Sequence, residues 1–591
     1  MIETKTPTTK SGYFFKGIPV SPGVAIGKAF VLSGETVKIE IEQVPAKDVD
    51  KEIRRFEDAL EKTREELKAA TSTTRSRIGS ENAKIFEMHN LVLDDPVLKQ
   101  ETIQKIRDEK LSAEYAFYTV MQKYQDQLAS VKDEYFQMRS ADLRDVKRRV
   151  IRNIQGDRTD FLQKLEGAAI IIARDLTPSD TVALDRHKIL GFATDMGGKT
   201  SHSAIMARSF RVPAVVGLRH LTKYVKNNDR IVLDGNEGVV YVNPDRKTLQ
   251  YYQKLQKKIH EINRQLTVLK SLPARTLDGR EIELAANLEF TDEVETVIEF
   301  GARGIGLYRT DYLFLARTDL PTEDEQFEEY KAVVERMRPY PVIIRTLDVG
   351  GDKNPQNINI PPEANPYLGY RAIRICLERP EVFLPQLRAI LRASAYGNIK
   401  ILFPMISSIK ELREAKMHLE KARRELRKRK VPFSDDIEVG VMIEVPSAAI
   451  IADLISREVD FLSIGTNDLV QYLLAVDRGN ERIAYLYQDL HPAVLRTIRD
   501  VVQAAHRNGT WVGVCGEMGG NPLATLILLG LGIDEISVSP IVLPEIKKII
   551  RSVSHPESER IAEKVLSMST AEEIEKFMMR YMRRKFKDLI F

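Results

Sequence analysis

Hydrophobic positions change their period several times along the chain, and each change predicts a different kind of element. Val49, Ile53, Phe56, Leu60 and Leu67 step by threes and fours, or sums of these, amid charged residues. That spacing puts apolar side chains on one face of a helix. Similar stripes follow at Ile85 and Met88, at Ala116, Phe117, Val120, Met121 and Tyr124, and at Leu143, Val146, Val150 and Ile154. Together they predict a bundle of about four helices over residues 47–155. On either side the pattern is short and β-type. GIPVSPGVAIGKAFVL (17–32) mixes small and β-branched residues, as a strand with a turn does, behind a polar tail at 1–12. Beyond Gly167 come AAIIIA (168–173), ILGFAT (189–194), AVVGL (214–218), RIVLDG (230–235) and VVYVNP (239–244), interrupted by the helix-like HSAIMARSF. The strand at 17–32 is expected to join this sheet, which makes the helical bundle an insertion into an α/β unit.

From 246 to 272, Leu249, Tyr252, Leu255, Ile259, Ile262, Leu266 and Leu269 form the narrow apolar seam of one long helix, a stiff connector that Pro273 ends. Strand-like and helix-like segments then alternate. EIELAANL, GIGLYRT, PVIIRTLD, KILFPMIS, EVGVMIEVP, FLSIGTND, WVGVCGEM and EISVSP give eight strands, the arithmetic of a (β/α)8 TIM barrel.

Composition narrows the class. With 591 residues the chain holds several domains, and a net charge of +4 without a basic arm argues against nucleic acid. The basic runs Arg427–Lys430 and Arg580–Lys587 read as solvated helix faces. Two cysteines, Cys376 and Cys515, exclude a disulfide scaffold. No apolar run reaches membrane-spanning length and the first residues lack a signal-type core, so a cytoplasmic protein is expected.

In a barrel of this kind chemistry sits where strands end. Those positions hold Arg309, Arg345 with Asp348, Glu444, Asn467 with Asp468, and Cys515 with Glu517, while Arg371 and Arg478 lie just beyond. Arginine forks grip phosphate and carboxylate. Glu444 and Asp468 are hard oxygen ligands suited to Mg2+, which takes few protein ligands besides substrate oxygens. A small phosphorylated acid bound through a metal and arginines follows. Cys515 is open between nucleophile, proton donor and core filler.

The segment GGKTSHSAIMAR (197–208) carries a second site. Gly197 and Gly198 permit a tight turn, and Thr200 and Ser201 are capping types. His202 then falls in the first turn of a helix, where free N–H groups favour an anion and a neutral imidazole, and Lys199 can offset phosphate charge. The other reading is a structural or capping histidine.

On these residues the chain, from about residue 17 onward, resembles enzyme I of the bacterial phosphoenolpyruvate:sugar phosphotransferase system. GGKTSHSAIMAR and DFLSIGTNDLVQYLLAVDRGN (460–480) carry the resemblance, and GIGLYRTDYLF, RTLDVGGDK, NPYLGYRAIRI, VMIEVPSAA and VCGEMGG agree with it. The resemblance implies that His202 accepts the phosphoryl group of phosphoenolpyruvate and passes it to the phosphocarrier protein HPr, the first step of sugar uptake. It implies that Arg309, Arg345, Arg371, Asn467, Asp468 and Arg478 bind substrate, that Glu444 and Asp468 ligate Mg2+, that Cys515 protonates the enolate and that Thr181, in DLTPSDT, orients the histidine. The implied organisation is a phosphohistidine α/β subdomain (1–35 and 157–245), an inserted helical HPr-binding subdomain (36–156), a linker helix (246–274) and a barrel (275–591) that binds phosphoenolpyruvate and forms a homodimer, the linker letting one part swing against the other. Lys199 stands where an arginine is common, and Val445 and Val514 replace smaller neighbours. The matched functional positions are unaltered. Two other readings compete: a phosphoenolpyruvate synthase or pyruvate phosphate dikinase, which would need an ATP-binding domain that the pattern lacks, and a regulatory paralogue with the same chemistry.

Overall fold

The computed structural model describes residues 12–32, 41–78, 89–90, 92–129, 134–156, 167–176, 188–198, 202–210, 212–315, 317, 319–351, 353, 355, 357–480 and 482–586. Two compact units divide between His260 and Glu261.

The first unit is built on an eight-stranded sheet, among the described residues. Its strands are β1 (Tyr13–Lys16), β2 (Ile18–Ser21), β3 (Val24–Leu32), β4 (Ala169–Ala173), β5 (Ile189–Thr194), β6 (Ala214–Val216), β7 (Arg230–Asp234) and β8 (Val239–Val242), in the order β1-β8-β7-β3-β4-β5-β6-β2. β3, β4, β5 and β6 run parallel, and the outer pairings are antiparallel. β4 reads AIIIA because both its faces are covered. Ile170 and Ile172 pack with Val215 and Leu233, while Ile171 and Ala173 pack with Phe192, Ala204 and Met206. Each such side chain contributes roughly 1.5–3 kcal/mol by burial. The segment expected to be one strand with a turn forms two strands in different places. β2 pairs with β6 at the edge and β3 lies in the middle, because the chain reverses at Gly23, whose φ of +117° suits glycine. β1, four residues long, has too little pattern to be seen in the sequence.

Between β3 and β4 run the helices Val49–Ile78, Pro96–Glu109, Ala113–Ala129 and Glu134–Gln155. Phe56, Leu67, Phe117, Met121 and Val150, from the marked stripes, are in their buried core, joined by Ile106 of the helix Pro96–Glu109, which no stripe marked. The Ile85 and Met88 stripe lies outside the described residues. The helix Arg246–Leu269 starts against the sheet, where Tyr252 is buried beside Val24 and Val232.

The second unit is a closed parallel barrel of β9 (Glu283–Leu288), β10 (Ile305–Arg309), β11 (Val342–Arg345), β12 (Ile399–Phe403), β13 (Glu438–Ile443), β14 (Phe461–Ile464), β15 (Trp511–Val514) and β16 (Glu535–Val538), with β16 paired back onto β9. All eight coincide with the strand-like segments of the sequence. Leu307, Ile343, Leu402, Met442, Phe461 and Cys515 fill the interior, and a larger apolar core lies between strands and surrounding helices. The helix Ile409–Arg429 opens with a capping box in which Ser408 and Glu411 exchange hydrogen bonds, and its terminal Arg427 and Arg429 pair with Asp435 and Glu323. The fold is therefore α/β with an inserted helical bundle and a C-terminal (β/α)8 barrel. Both cysteines are buried and free. No helix among the described residues is long and apolar enough to cross a membrane.

Candidate active site

The strands of the barrel deliver their polar residues to one end. Arg309 and Arg345 are the last residues of β10 and β11, Glu444 and Cys515 directly follow β13 and β15, and Asn467 and Asp468 open the helix Thr466–Leu474 after β14. They line a cavity of about 380 Å3 together with Asp348, Lys353, Arg371, Arg478, Glu517 and Asn287. Every barrel residue expected at the site is in this lining.

A network of ion pairs fixes the deeper groups. Arg345 Nη2 is 2.8 Å from Asp311 Oδ2, and its Nη1 is 3.0 Å from Asp348 Oδ2. Arg371 Nη2 lies 3.0 Å from Asp348 Oδ1 and 3.0 Å from Asp468 Oδ2. Asp348 thus holds two guanidinium groups at once. Burial alone would raise its pKa, and Arg345 and Arg371 together pull it well below the usual carboxylate range. Lys353 Nζ adds a 2.6 Å contact to Asp311, and Tyr472 accepts from Arg371 Nη1 at 3.1 Å. Arg309 and Arg478 are about one-third exposed at the rim, Arg309 3.6 Å from Glu289 and Arg478 3.9 Å from Asp468. Arg345 and Arg371 are thus oriented by buried carboxylates, while Arg309 and Arg478 stand nearer the solvent.

Glu444 is 2% exposed and accepts from the backbone N–H of Met405 at 2.6 Å. Met405 holds φ +55° and Ala372, beside Arg371, φ +52°, two non-glycine residues in the left-handed region at one site. Burial first, then the Asp468 and Asp348 carboxylates, push Glu444 up to about 8. Asp468 is 7% exposed, and its Oδ1, 3.9 Å from Arg478 Nη2, accepts no hydrogen bond among the described residues. Two buried carboxylates that repel one another, one with an oxygen that accepts no hydrogen bond, fit a divalent cation. No cluster of three or more His, Cys, Asp or Glu among the described residues could hold a metal, so such an ion would need oxygens from a substrate.

Asn467 is clamped to the next loop: its Oδ1 accepts from Glu517 N at 2.8 Å. The Cys515 thiol is 3% exposed and 3.7 Å from the Ile464 carbonyl, and burial pushes it up to about 12. It is a protonated thiol, which favours the proton-donor reading over the nucleophile.

In the first unit His202 is the first residue of the helix His202–Phe210, and Gly197 takes φ +109° in the turn before it. Ala204, Ala207 and Phe210 anchor that helix against the sheet, and Ser203 lies 3.4 Å from Asp175. The His202 side chain, Thr181, Lys199, Thr200 and Ser201 lie outside the described residues.

Sequence reasoning missed Asp311, Lys353, Asn287, Tyr472 and the Met405 N–H. Asp311 and Lys353 stand inside quoted motifs, and Asn287 closes a strand-like run, so their positions were signalled. A backbone N–H leaves no signal.

Comparison with known proteins gives the class. Residues 16–139, 165–238 and 263–555 match, in turn, the N-terminal, mobile and phosphoenolpyruvate-binding domain families of the phosphoenolpyruvate-utilising enzymes. The protein is a phosphoenolpyruvate-utilising enzyme. The phosphoenolpyruvate-protein phosphotransferase of Geobacillus stearothermophilus is 47% identical over 95% of this chain and 97% of its own length. That of Bacillus subtilis is 45% identical over 95% and 98%, and that of Haemophilus influenzae 44% over 96% and 98%. The chain belongs to the phosphoenolpyruvate-protein phosphotransferases, the enzyme I family of the phosphotransferase system. The dikinase and synthase reading gives way to this assignment.

Proposed function

We propose that the protein takes the phosphoryl group of phosphoenolpyruvate onto His202, releases pyruvate and passes the group to the phosphocarrier protein HPr. The observation that carries this reading is the pairing of Glu444 and Asp468, whose Oδ1 accepts no hydrogen bond among the described residues, inside a ring of arginines whose inner members are already oriented. Arg309, Arg345, Arg371, Arg478 and Asn467 bind the phosphate and carboxylate of the substrate. Glu444 and Asp468 hold Mg2+, which when bound neutralises charge on the phosphoryl and enolate oxygens. Because Asp348 fixes Arg345 and Arg371 beforehand, little reorganisation accompanies the transfer. The Cys515 thiol gives its proton to the methylene carbon of the enolate, and pyruvate leaves. Thr181 orients His202, whose place at a helix N-terminus stabilises the phosphorylated ring.

The work is divided among the α/β subdomain (1–35 and 157–245), which carries the histidine, the helical subdomain (36–156), which docks HPr, the linker helix (246–274) and the barrel (275–591), which binds substrate and pairs with a second copy in a cytoplasmic homodimer. Transfer requires the histidine to reach the barrel, so the linker must permit that movement.

The test is incubation with radiolabelled phosphoenolpyruvate and Mg2+, followed by mapping of the label. Acid-labile, base-stable label at His202 that moves to HPr is expected. A His202→Ala chain that still acquires it would sink the assignment.

A further inference from the structure

The chemistry above occupies the C-terminal half of the barrel interior and leaves the other half without a task. At the N-terminal end Glu283 opens β9, Lys400 lies on β12, and Glu438 and Glu535 open β13 and β16. Lys400 Nζ is 3.1 Å from Glu438 Oε2, which also accepts from Trp511 Nε1 at 3.0 Å. Glu535 is 2% exposed, and its Oε1 accepts no hydrogen bond among the described residues. Two glycines make room for that oxygen: a Cβ at Gly513 would stand 3.1 Å from it and one at Gly306 2.6 Å. A bare carboxylate so placed would be costly. Burial, then Glu283 and Glu438, push the group up to about 8 against the pull of Lys400, so it is held as a neutral acid.

Ser463, Gly513 and Glu535 stand in register across β14, β15 and β16. With no side chain at Gly513, the Glu535 carboxyl lies over it, and Ser463 begins one strand spacing further on, about 4.8 Å. The Ser463 hydroxyl is buried and makes no hydrogen bond of good geometry among the described residues, yet it lies near enough to the Cys515 thiol to favour its thiolate. Cys515 follows Gly513 by two positions and so faces the same interior, one layer nearer the substrate pocket. An acid, a hydroxyl and a thiol thus face one barrel interior, the thiol nearest the catalytic end.

We propose that Glu535 resupplies the proton that Cys515 gives to the enolate, with Ser463 as the relay between them. The inference rests on Cys515 being the proton donor. As the C–H bond of pyruvate forms, the S–H bond of Cys515 breaks and a thiolate is left. The Ser463 hydroxyl gives its proton to that thiolate and takes the proton of Glu535, so the thiol is restored and the negative charge rests on the Glu535 carboxylate. Glu535 recovers a proton from solvent past Glu283 and Glu438, the latter 42% exposed. Glu535 touches no substrate and is a positioning residue acting through Cys515.

The test is rapid-quench measurement of pyruvate release by the full chain with phosphoenolpyruvate, Mg2+ and purified HPr as acceptor. Wild type is compared with Glu535→Gln, which keeps the shape but cannot give up a proton, and with Ser463→Ala. The first pyruvate per subunit is expected within about 2-fold of the wild-type rate, and later turnovers slower by about 10-fold or more, as for loss of a proton-transfer partner. A merely structural role would slow both phases alike. Equal effects on both phases, or a wild-type steady state in either folded variant, overturn the relay, and Ser463→Ala carries the measurement if Glu535→Gln does not fold. A wild-type chain that releases no pyruvate removes the underlying reading along with the relay, and is thereby told apart from failure of the relay alone.

Discussion

Asp468 and Arg371 share one contact that uses a single carboxylate oxygen: Arg371 Nη2 sits 3.0 Å from Asp468 Oδ2, and Asp468 Oδ1 accepts no hydrogen bond among the described residues. The Arg478 guanidinium stands 3.9 Å from that oxygen, and a divalent cation would meet it more closely. Asp468→Asn keeps the shape and removes the charge. Changes merely beside a metal ligand cost 10–100-fold in affinity. The Mg2+ concentration for half-maximal pyruvate formation should therefore rise by at least about 10-fold, read from a metal titration of the initial rate.

Arg371 is the common partner of Asp348 and Asp468, both buried. Arg371→Ala takes from Asp468 its 3.0 Å partner and from Asp348 one of its two guanidinium groups, and breaking such a buried pair costs about 3–5 kcal/mol. The denaturant transition of the barrel should move to lower concentration by that amount. An unchanged transition would mean that the network contributes little to stability.

Cys515→Ala removes a thiol that burial keeps protonated. Turnover should fall by about 100-fold or more while KM for phosphoenolpyruvate stays within about 2-fold, because general-acid catalysis is lost and ground-state binding is not. A rise in KM with unchanged kcat would instead make Cys515 part of the binding surface.

Glu535 links the fold to pH. Its pKa is raised from 4.5 to about 8, so between those values the folded state holds a proton that the unfolded state lacks. Stability contributed by this group is present below 4.5 and is lost as pH climbs toward 8, a few kcal/mol at most. Glu283, Lys400 and Glu438 face the same space and modulate the slope. Barrel stability should decline over this window in wild type and decline less in Glu535→Gln, checked by unfolding at a series of pH values.

Gly516 follows Cys515 where two loops meet. A Cβ there would lie 1.9 Å from Thr466 Oγ1 and 2.9 Å from Asn467 Oδ1. Gly516→Ala must therefore displace the loop that clamps Asn467. A loss of roughly 10–100-fold in kcat/KM is expected, as for an ångström-scale misplacement. Wild-type kinetics would show that the clamp is dispensable.

The barrel was legible because each strand is a continuous apolar run closed by a polar residue, so segmentation and the catalytic end came from one pattern. Arg309, Arg345, Glu444, Asn467 and Cys515 were visible for that reason. Asp311 and Lys353 were not singled out, although they lie in quoted motifs, because an ion-pair partner is defined by where a loop returns rather than by its own sequence. The hidden role of Glu535 is of the same kind. It looks like an ordinary strand-opening glutamate until Gly513 and Gly306 are seen to leave it space. At the other end of the chain, β1 and the split of residues 17–32 into two strands rest on pairings with β8 and β6, contacts between segments about 200 residues apart in sequence.

The helical bundle leaves the sheet at the end of β3 and comes back at the start of β4, and these two strands are immediate neighbours, paired from Lys28 with Ala169 to Leu32 with Ala173. Architecturally it is one swollen crossover, occupying the position that a single helix fills in an ordinary parallel unit. The sheet asks of the intervening chain only that it depart and arrive at those two points. A lineage could remodel or exchange that whole module while the sheet and the helix His202–Phe210 stay as they are.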